Sequence, residues 1–264
     1  MGTDAIELGI DDGVATLTLS RPDAGNAINR QFVSALRAHA EGLTDRADVR
    51  VVIIRSTGRN FCVGGDLAYF AGITRIEPEM LELATDFHAG IHALRALDAP
   101  LVAGIQGAAA GGGVAIACAC DIVLAARSAR FTLAYTAAGL SVDGGASWFL
   151  PRLVGWRRAT ELILSNRVLT AAEAAEAGLI TDVVADDALS VELQAMAARL
   201  AAGPARAFGS VKRLLQASST ASLLEQLDAE AREIAANAAS ADGREGVSAF
   251  LARRAPEFRS GGRR

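Results

Sequence analysis

One aspartate stands in a stretch that is otherwise small and apolar, Gly139-Leu140-Ser141-Val142-Asp143-Gly144-Gly145. Apolar surroundings raise a carboxyl's pKa toward neutrality, which suits the group to take up a proton and return it. The same residue could instead cap a helix beginning at Gly144, because aspartate is a favoured N-cap. Two glycine-rich loops offer complementary chemistry: Phe61-Cys62-Val63-Gly64-Gly65-Asp66-Leu67 and Gly107-Ala108-Ala109-Ala110-Gly111-Gly112-Gly113. Without a Cβ the chain turns sharply and other atoms can approach it. Two such turns, facing one another, could aim two backbone N–H groups at a single oxygen. That arrangement holds negative charge developing on a carbonyl. Taken singly, each loop also reads as an ordinary tight turn of an α/β protein.

Other polar residues read mostly as scaffold. Asp66 closes the first glycine loop, where it can cap the next helix or hold the turn. Asp121 follows a buried apolar run and precedes a strand. His88 and His92 share one helical face, but without the Glu of a His-Glu-x-x-His motif or a third ligand no metal is expected; His88 stays open as a pocket residue. Tyr135 reads equally as core or as pocket wall. No Gly-x-Gly-x-x-Gly opens a helix after a strand, no lysine follows a glycine run, and no Gly-x-Ser-x-Gly occurs. Dinucleotide, nucleoside-triphosphate and serine-hydrolase chemistry are therefore set aside.

The elements that must position these residues alternate. Residues 6–10 and 14–19 flank Asp11-Asp12-Gly13 as a hairpin. Asn29 can cap an amphipathic helix reaching Leu43, and residues 49–54 read as a buried strand. Residues 77–97 read as a long helix ended by Pro100, 101–105 as a strand, 114–119 as a short buried helix and 122–125 as another strand. Strand–helix alternation implies parallel pairing through crossovers. From Gly144 onward the chain reads as helical, with a capping box at Thr170-Ala171-Ala172-Glu173 stopped by Gly178, and Pro204 at the first position of a later helix. Leucines from Leu214 to Leu227 keep helical spacing to about Asn237, and a terminal helix is expected near 245–253.

With 51% hydrophobic and 21% charged residues, 264 residues suffice for a sizeable packed core. A net charge of −4 gives no electrostatic case for nucleic acid. Lys212 is the only lysine, so ligand phosphates would fall to arginine, backbone N–H groups or that residue. Cys62, Cys118 and Cys120 have neither zinc spacing nor an even disulfide framework, which with the lack of a leader-like amino terminus leads to the expectation of a cytoplasmic protein. Residues 101–120 carry no charge and are long enough for a membrane span. Gly111-Gly112-Gly113 interrupts them, so a buried strand, turn and helix are expected instead.

The chain resembles the crotonase, or enoyl-CoA hydratase/isomerase, superfamily over essentially its full length. The resemblance is carried by Leu19-Ser20-Arg21-Pro22 with Asn26-Ala27, by both glycine loops, and by Cys120-Asp121-Ile122. It continues through Pro151-Arg152-Leu153-Val154-Gly155, Ala174-Ala175-Glu176-Ala177-Gly178-Leu179 and Arg244-Glu245-Gly246-Val247-Ser248-Ala249-Phe250-Leu251. The resemblance implies an α/β fold: a ββα-spiral catalytic core over residues 1–200, and a helical region over 201–264 that covers the site and builds homotrimers or dimers of trimers. Substrates would be acyl-CoA thioesters, with coenzyme A as part of the substrate and no separate cofactor.

Carried over by position, the N–H groups of Gly65 and Gly112 would hold the thioester oxygen. Ala27, Cys62, Val63, Gly64, Asp66, Leu67, His88, Ala115, Tyr135 and Leu140 would line the substrate site. Arg21, Arg253 and Phe258 would meet the CoA phosphates and adenine. Hydratases of this superfamily use two glutamates, and those positions here are Ala115 and Tyr135. Asp143 instead falls where several isomerase and dehalogenase branches keep an aspartate. Its segment looks most like bacterial enoyl-CoA isomerases, including those acting on ring-derived CoA esters. The expectation is therefore a double-bond shift with Asp143 as proton shuttle. Alternatives are a hydratase with atypical acid and base, a halobenzoyl-CoA dehalogenase using Asp143 and His88, and an acyl-CoA-binding homologue without turnover.

Overall fold

Buried apolar runs and one hairpin set the main sheet. The computed structural model describes residues 5–258. Ile6–Asp11 (β1) and Val14–Leu19 (β2) pair antiparallel around Asp12 and Gly13, both at positive φ. The remaining strands are Val51–Ser56 (β3), Leu101–Ile105 (β4), Ala108–Ala110 (β5), Ile122–Ala126 (β6), Arg130–Thr132 (β7), Leu169–Thr170 (β8) and Asp182–Val184 (β9). Six form a sheet in the order β1-β2-β3-β4-β6-β9, parallel from β2 onward. Parallel neighbours need crossovers. Arg30–Leu43 (α1) connects β2 to β3, and Leu67–Ala71 (α2) with Ile76–Ala96 (α3) connect β3 to β4. Between β4 and β6 run β5 and Gly112–Ala119 (α4).

Both sheet faces are covered, which is why the central strands read as unbroken apolar runs. Val52, Ile54, Leu101 and Ala103 join the large core shared with α1, α3 and α4. Val51, Ile53 and Val102 point the other way, onto Leu193 and Ala197 of Leu189–Ala201 (α8). Asp121 ties this scaffold together: its Oδ2 accepts from the Leu101 N–H at 2.8 Å, and its carboxylate pairs with Arg95 and buried Lys212. The uncharged stretch at 101–120 resolves into β4, β5 and α4. Among the described residues no helix is long and apolar enough to cross a membrane.

Strand β5 was not expected. Three alanines have weak strand preference, but they pair in parallel with β7, and β7 pairs with β8, to make a small second sheet. The later helices are Ala146–Val154 (α5), Trp156–Ser165 (α6), Ala171–Glu176 (α7), Ala205–Ala217 (α9), Leu223–Ala238 (α10) and Ala241–Leu251 (α11). The capping box at Thr170 forms, with Gly178 in the left-handed region just past the helix end. Pro204 is the N-cap of α9 and not its first residue. The leucine periodicity from Leu214 onward spans two helices and not one, because Ser222 starts α10 with a capping box to Glu225.

Candidate active site

Backbone pairing brings the two glycine loops side by side. Cys62 bridges Ala109 of β5, with Cys62 N donating to Ala108 O at 3.1 Å and Ala110 N to Cys62 O at 2.9 Å. On its other side the first loop bridges Ile28, with Ile28 N donating to Gly64 O at 2.8 Å and Asp66 N to Ile28 O at 2.9 Å. Only glycine fits at this seam. Gly64 lies at φ +92, and a Cβ there would stand 3.1 Å from Ala110 O. Among the described residues, the N–H groups of Gly65 and Gly112 have no protein acceptor. Gly112 opens α4, so its amide also carries the positive end of that helix dipole.

The flanks hold this seam in place. Asp66 caps α2 by accepting from the Tyr69 N–H at 3.1 Å, and its other oxygen pairs with Arg21 at 3.2 Å. Arg21 also donates to Ala27 O at 2.7 Å, so both ends of its guanidinium brace the loop. Asn26, buried and at φ +57, pins the same turn through Thr57 O and Asn60 O. Burial pushes the Cys62 thiol up to about 12, so it stays protonated and contributes backbone, not nucleophilic chemistry.

Asp143 does not cap a helix. Gly144 and Gly145 both take positive φ and delay α5 until Ala146, whose cap is Gly145. The freed carboxylate meets Tyr135, whose hydroxyl donates to Asp143 Oδ1 at 2.7 Å. Ala134, at φ +51, and Gly139, at φ +70, fold the intervening segment so that residues eight apart can touch. Burial raises the Asp143 carboxyl above its ordinary value, opposed by the Tyr135 hydrogen bond. Burial and the neighbouring carboxylate push the Tyr135 phenol far up, so it remains a donor.

A cavity of 330 Å³ joins these parts. Its wall includes Val63, Gly64, Gly65, Leu67, Gly112, Tyr135, Leu140 and Asp143 from the expected set, with Asp143 its one carboxylate. Ala27, Cys62 and Asp66 sit behind the wall as supports. Ala115 is fully buried beneath the Asp143 turn: a Cβ on Gly144 would lie 2.7 Å from its methyl. A larger side chain at 115 would thus displace the turn that carries Asp143. Arg253 and Phe258 do not line the cavity, and the Phe258 ring lies near Gly246 of α11.

His88, exposed on α3, reaches the same turn from the other side. Its Nε2 accepts from the Gly144 N–H at 3.0 Å, which places the ring proton on Nδ1 and occupies the Nε2 lone pair. Sequence reading missed the apolar wall formed by Ile28, Phe70, Met80, Leu81, Leu83 and Ala84. The signal for it was the unusually apolar outer side of α3, where Leu81 is exposed.

The chain matches the enoyl-CoA hydratase/isomerase family over residues 9–261. It is 39% identical over 98% of its length to a "Probable enoyl-CoA hydratase" of Rhodobacter capsulatus, covering 99% of that protein. It is 36% identical to the 1,2-epoxyphenylacetyl-CoA isomerase of Escherichia coli, covering 94% of this chain and 96% of that one. Among solved structures, an enoyl-CoA hydratase from Polaromonas sp. JS666 superposes with a TM-score of 0.91 at 32% identity, covering 96% of this chain and 99% of that one.

Proposed function

The chain belongs to the enoyl-CoA hydratase/isomerase family, and from that premise we propose that it moves the double bond of an enoyl-CoA, with Asp143 carrying the proton. The carrying observation is that the cavity wall holds one carboxylate, half-buried and fixed by Tyr135, together with two backbone N–H groups that find no acceptor among the described residues. Addition of water across a double bond needs a base for the water and an acid for the carbon. By the resemblance the positions that would supply them are 115 and 135, which here hold Ala115 and Tyr135. Migration needs one group that takes a proton and gives it back two carbons away.

In the proposed mechanism the thioester oxygen accepts from Gly65 and Gly112. Asp143 removes a proton from carbon 2 of a 3-enoyl thioester, and the electron pair spreads into a dienolate whose charge rests on that oxygen. The Asp143 acid then protonates carbon 4, leaving the double bond between carbons 2 and 3. Atoms and charge balance without another reactant. The donors act where charge grows, so they stabilise the transition state more than the substrate. The His88 hydrogen bond to Gly144 weighs against a dehalogenase role, because the nitrogen facing the turn is already an acceptor there. The test is migration and hydration followed separately in wild type and Asp143→Asn.

Tyr135→Phe gives a second prediction. The Tyr135 bond holds the Asp143 pKa down against burial, so its loss moves that pKa further up. Because the base must be ionised, the acid limb of kcat/KM shifts to higher pH. Below the limb, activity falls about 10- to 100-fold, as expected for a hydrogen bond to a charged group worth about 1.5–3 kcal/mol. At high pH much of it returns. An unmoved limb refutes the assignment.

Self-association is proposed for the carboxy-terminal helices. Leu223, Leu224 and Ile234 of α10 and Phe250 and Leu251 of α11 are exposed, more apolar surface than a lone chain commonly leaves in water. A trimer or a dimer of trimers would cover it.

A further inference from the structure

Asp143 stands between two cavities. Besides the cavity that holds the glycine amides, a second one of 490 Å³ lies behind the turn, and Asp143 is the one residue common to both linings. The rear wall joins the polar side chains of His88, His92, Arg95, Ser147 and Gln216 to the apolar Ile91, Trp148 and Phe149, together with the turn itself. His88, His92, Ser147 and Trp148 are exposed, so the rear cavity opens to solvent. Its volume would hold several waters at about 30 Å³ each. On the reading proposed above, an acyl group seated on Gly65 and Gly112 would occupy the front cavity, and the rear cavity is not part of that seat.

Resting on the reading of Asp143 as proton carrier, we propose that the rear cavity is the path by which this carboxyl exchanges its proton with solvent while substrate occupies the front. The hydrogen taken from carbon 2 then leaves through rear waters, and a solvent hydrogen is delivered to carbon 4 in its place. The exchange swaps one proton for another, so nothing else is consumed. The protein is thus a carrier that leaks to one side, and the fraction of transferred hydrogen that survives measures the leak.

The experiment converts an unlabelled 3-enoyl-CoA in D2O and reads deuterium at carbon 4 of the product from a single turnover. Ser147→Phe narrows the rear cavity from an exposed position away from the front wall, and Ser147→Ala leaves it open. Wild type and Ser147→Ala are expected to deliver mostly deuterium. Ser147→Phe is expected to lower the ratio of solvent-derived to substrate-derived hydrogen by on the order of tenfold, at a migration rate close to wild type. Migration without deuterium at carbon 4 in wild type overturns the rear path. So does equal labelling in wild type and Ser147→Phe. Neither result touches Asp143 as the carrier. If wild type shows no migration and no exchange at carbons 2 or 4, the functional reading falls and this inference with it.

Discussion

Asp143→Asn abolishes double-bond migration, lowering kcat by about 10³- to 10⁴-fold, toward the upper end of what a positioned acid–base group contributes. The amide matches the carboxylate in shape, and its oxygen can still accept from the Tyr135 hydroxyl that now holds Oδ1 at 2.7 Å. Seating of the thioester on Gly65 and Gly112 is left intact, so KM changes little while kcat and kcat/KM fall together. That pattern marks a group used in the transition state and not in binding. Stability should not fall with activity. Burial raises the folded-state pKa of Asp143 above its unfolded value. Such a group favours the fold fully below the unfolded pKa, and that contribution is lost as pH rises through the folded pKa. Near neutrality the ionised carboxylate is therefore a net cost, and the neutral amide removes it. The variant should melt at or above the wild-type temperature near pH 7. Retained migration in Asp143→Asn would end the shuttle assignment, and strong hydration by both proteins would place the acid and base elsewhere.

What could be read from sequence follows from how local each determinant is. The β1–β2 hairpin was legible because Asp12-Gly13 supplies the turn between two apolar runs. Both glycine loops were legible because the residues that close them, Asp66 and the start of α4, lie within a few positions. Strand β5 was hidden: Ala108–Ala110 is extended because Cys62 and β7 flank it, and neither is near in sequence. The break between α9 and α10 was written in Ser222 and Glu225, a capping box masked by leucine spacing that continued across it. Asp143 was ambiguous because Gly144-Gly145 can begin a helix or postpone one. Its environment depends on Ala134 at positive φ, a conformation alanine does not advertise, and on His88, which accepts from Gly144 across 56 residues of sequence. Space at this turn is tight on both sides: a Cβ on Gly144 would lie 2.7 Å from the Ala115 methyl, so a small residue at 115 leaves room for the turn that carries Asp143.

Gly113→Ala tests the seam between the two loops. In the first turn of α4, alanine is still the better helix former, by up to about 1 kcal/mol, and propensity alone calls for a more stable protein. The space forbids it. A Cβ on Gly113 would lie 2.4 Å from Cys62 O and 2.9 Å from Cys62 Cβ. The carbonyl is backbone and cannot rotate aside, and it already accepts from Ala110 N at 2.9 Å. The first loop must therefore move away from α4, carrying Gly65 away from Gly112. Overpacking of this kind costs about 1–3 kcal/mol, enough to outweigh the propensity gain. Displacing one of two donors from a shared oxygen costs about 10²- to 10³-fold in kcat. Gly42→Ala near the end of α1 is the control, since a Cβ there meets nothing within 4 Å. It should leave activity unchanged and raise stability by about 0.4–1 kcal/mol. Denaturant midpoints and kcat of the two variants separate the effects: Gly113→Ala losing both and Gly42→Ala losing neither would tie catalysis to the spacing of the loops. A Gly113→Ala protein with wild-type kcat would show that Gly65 and Gly112 need not be held together, and the paired-donor mechanism would fall.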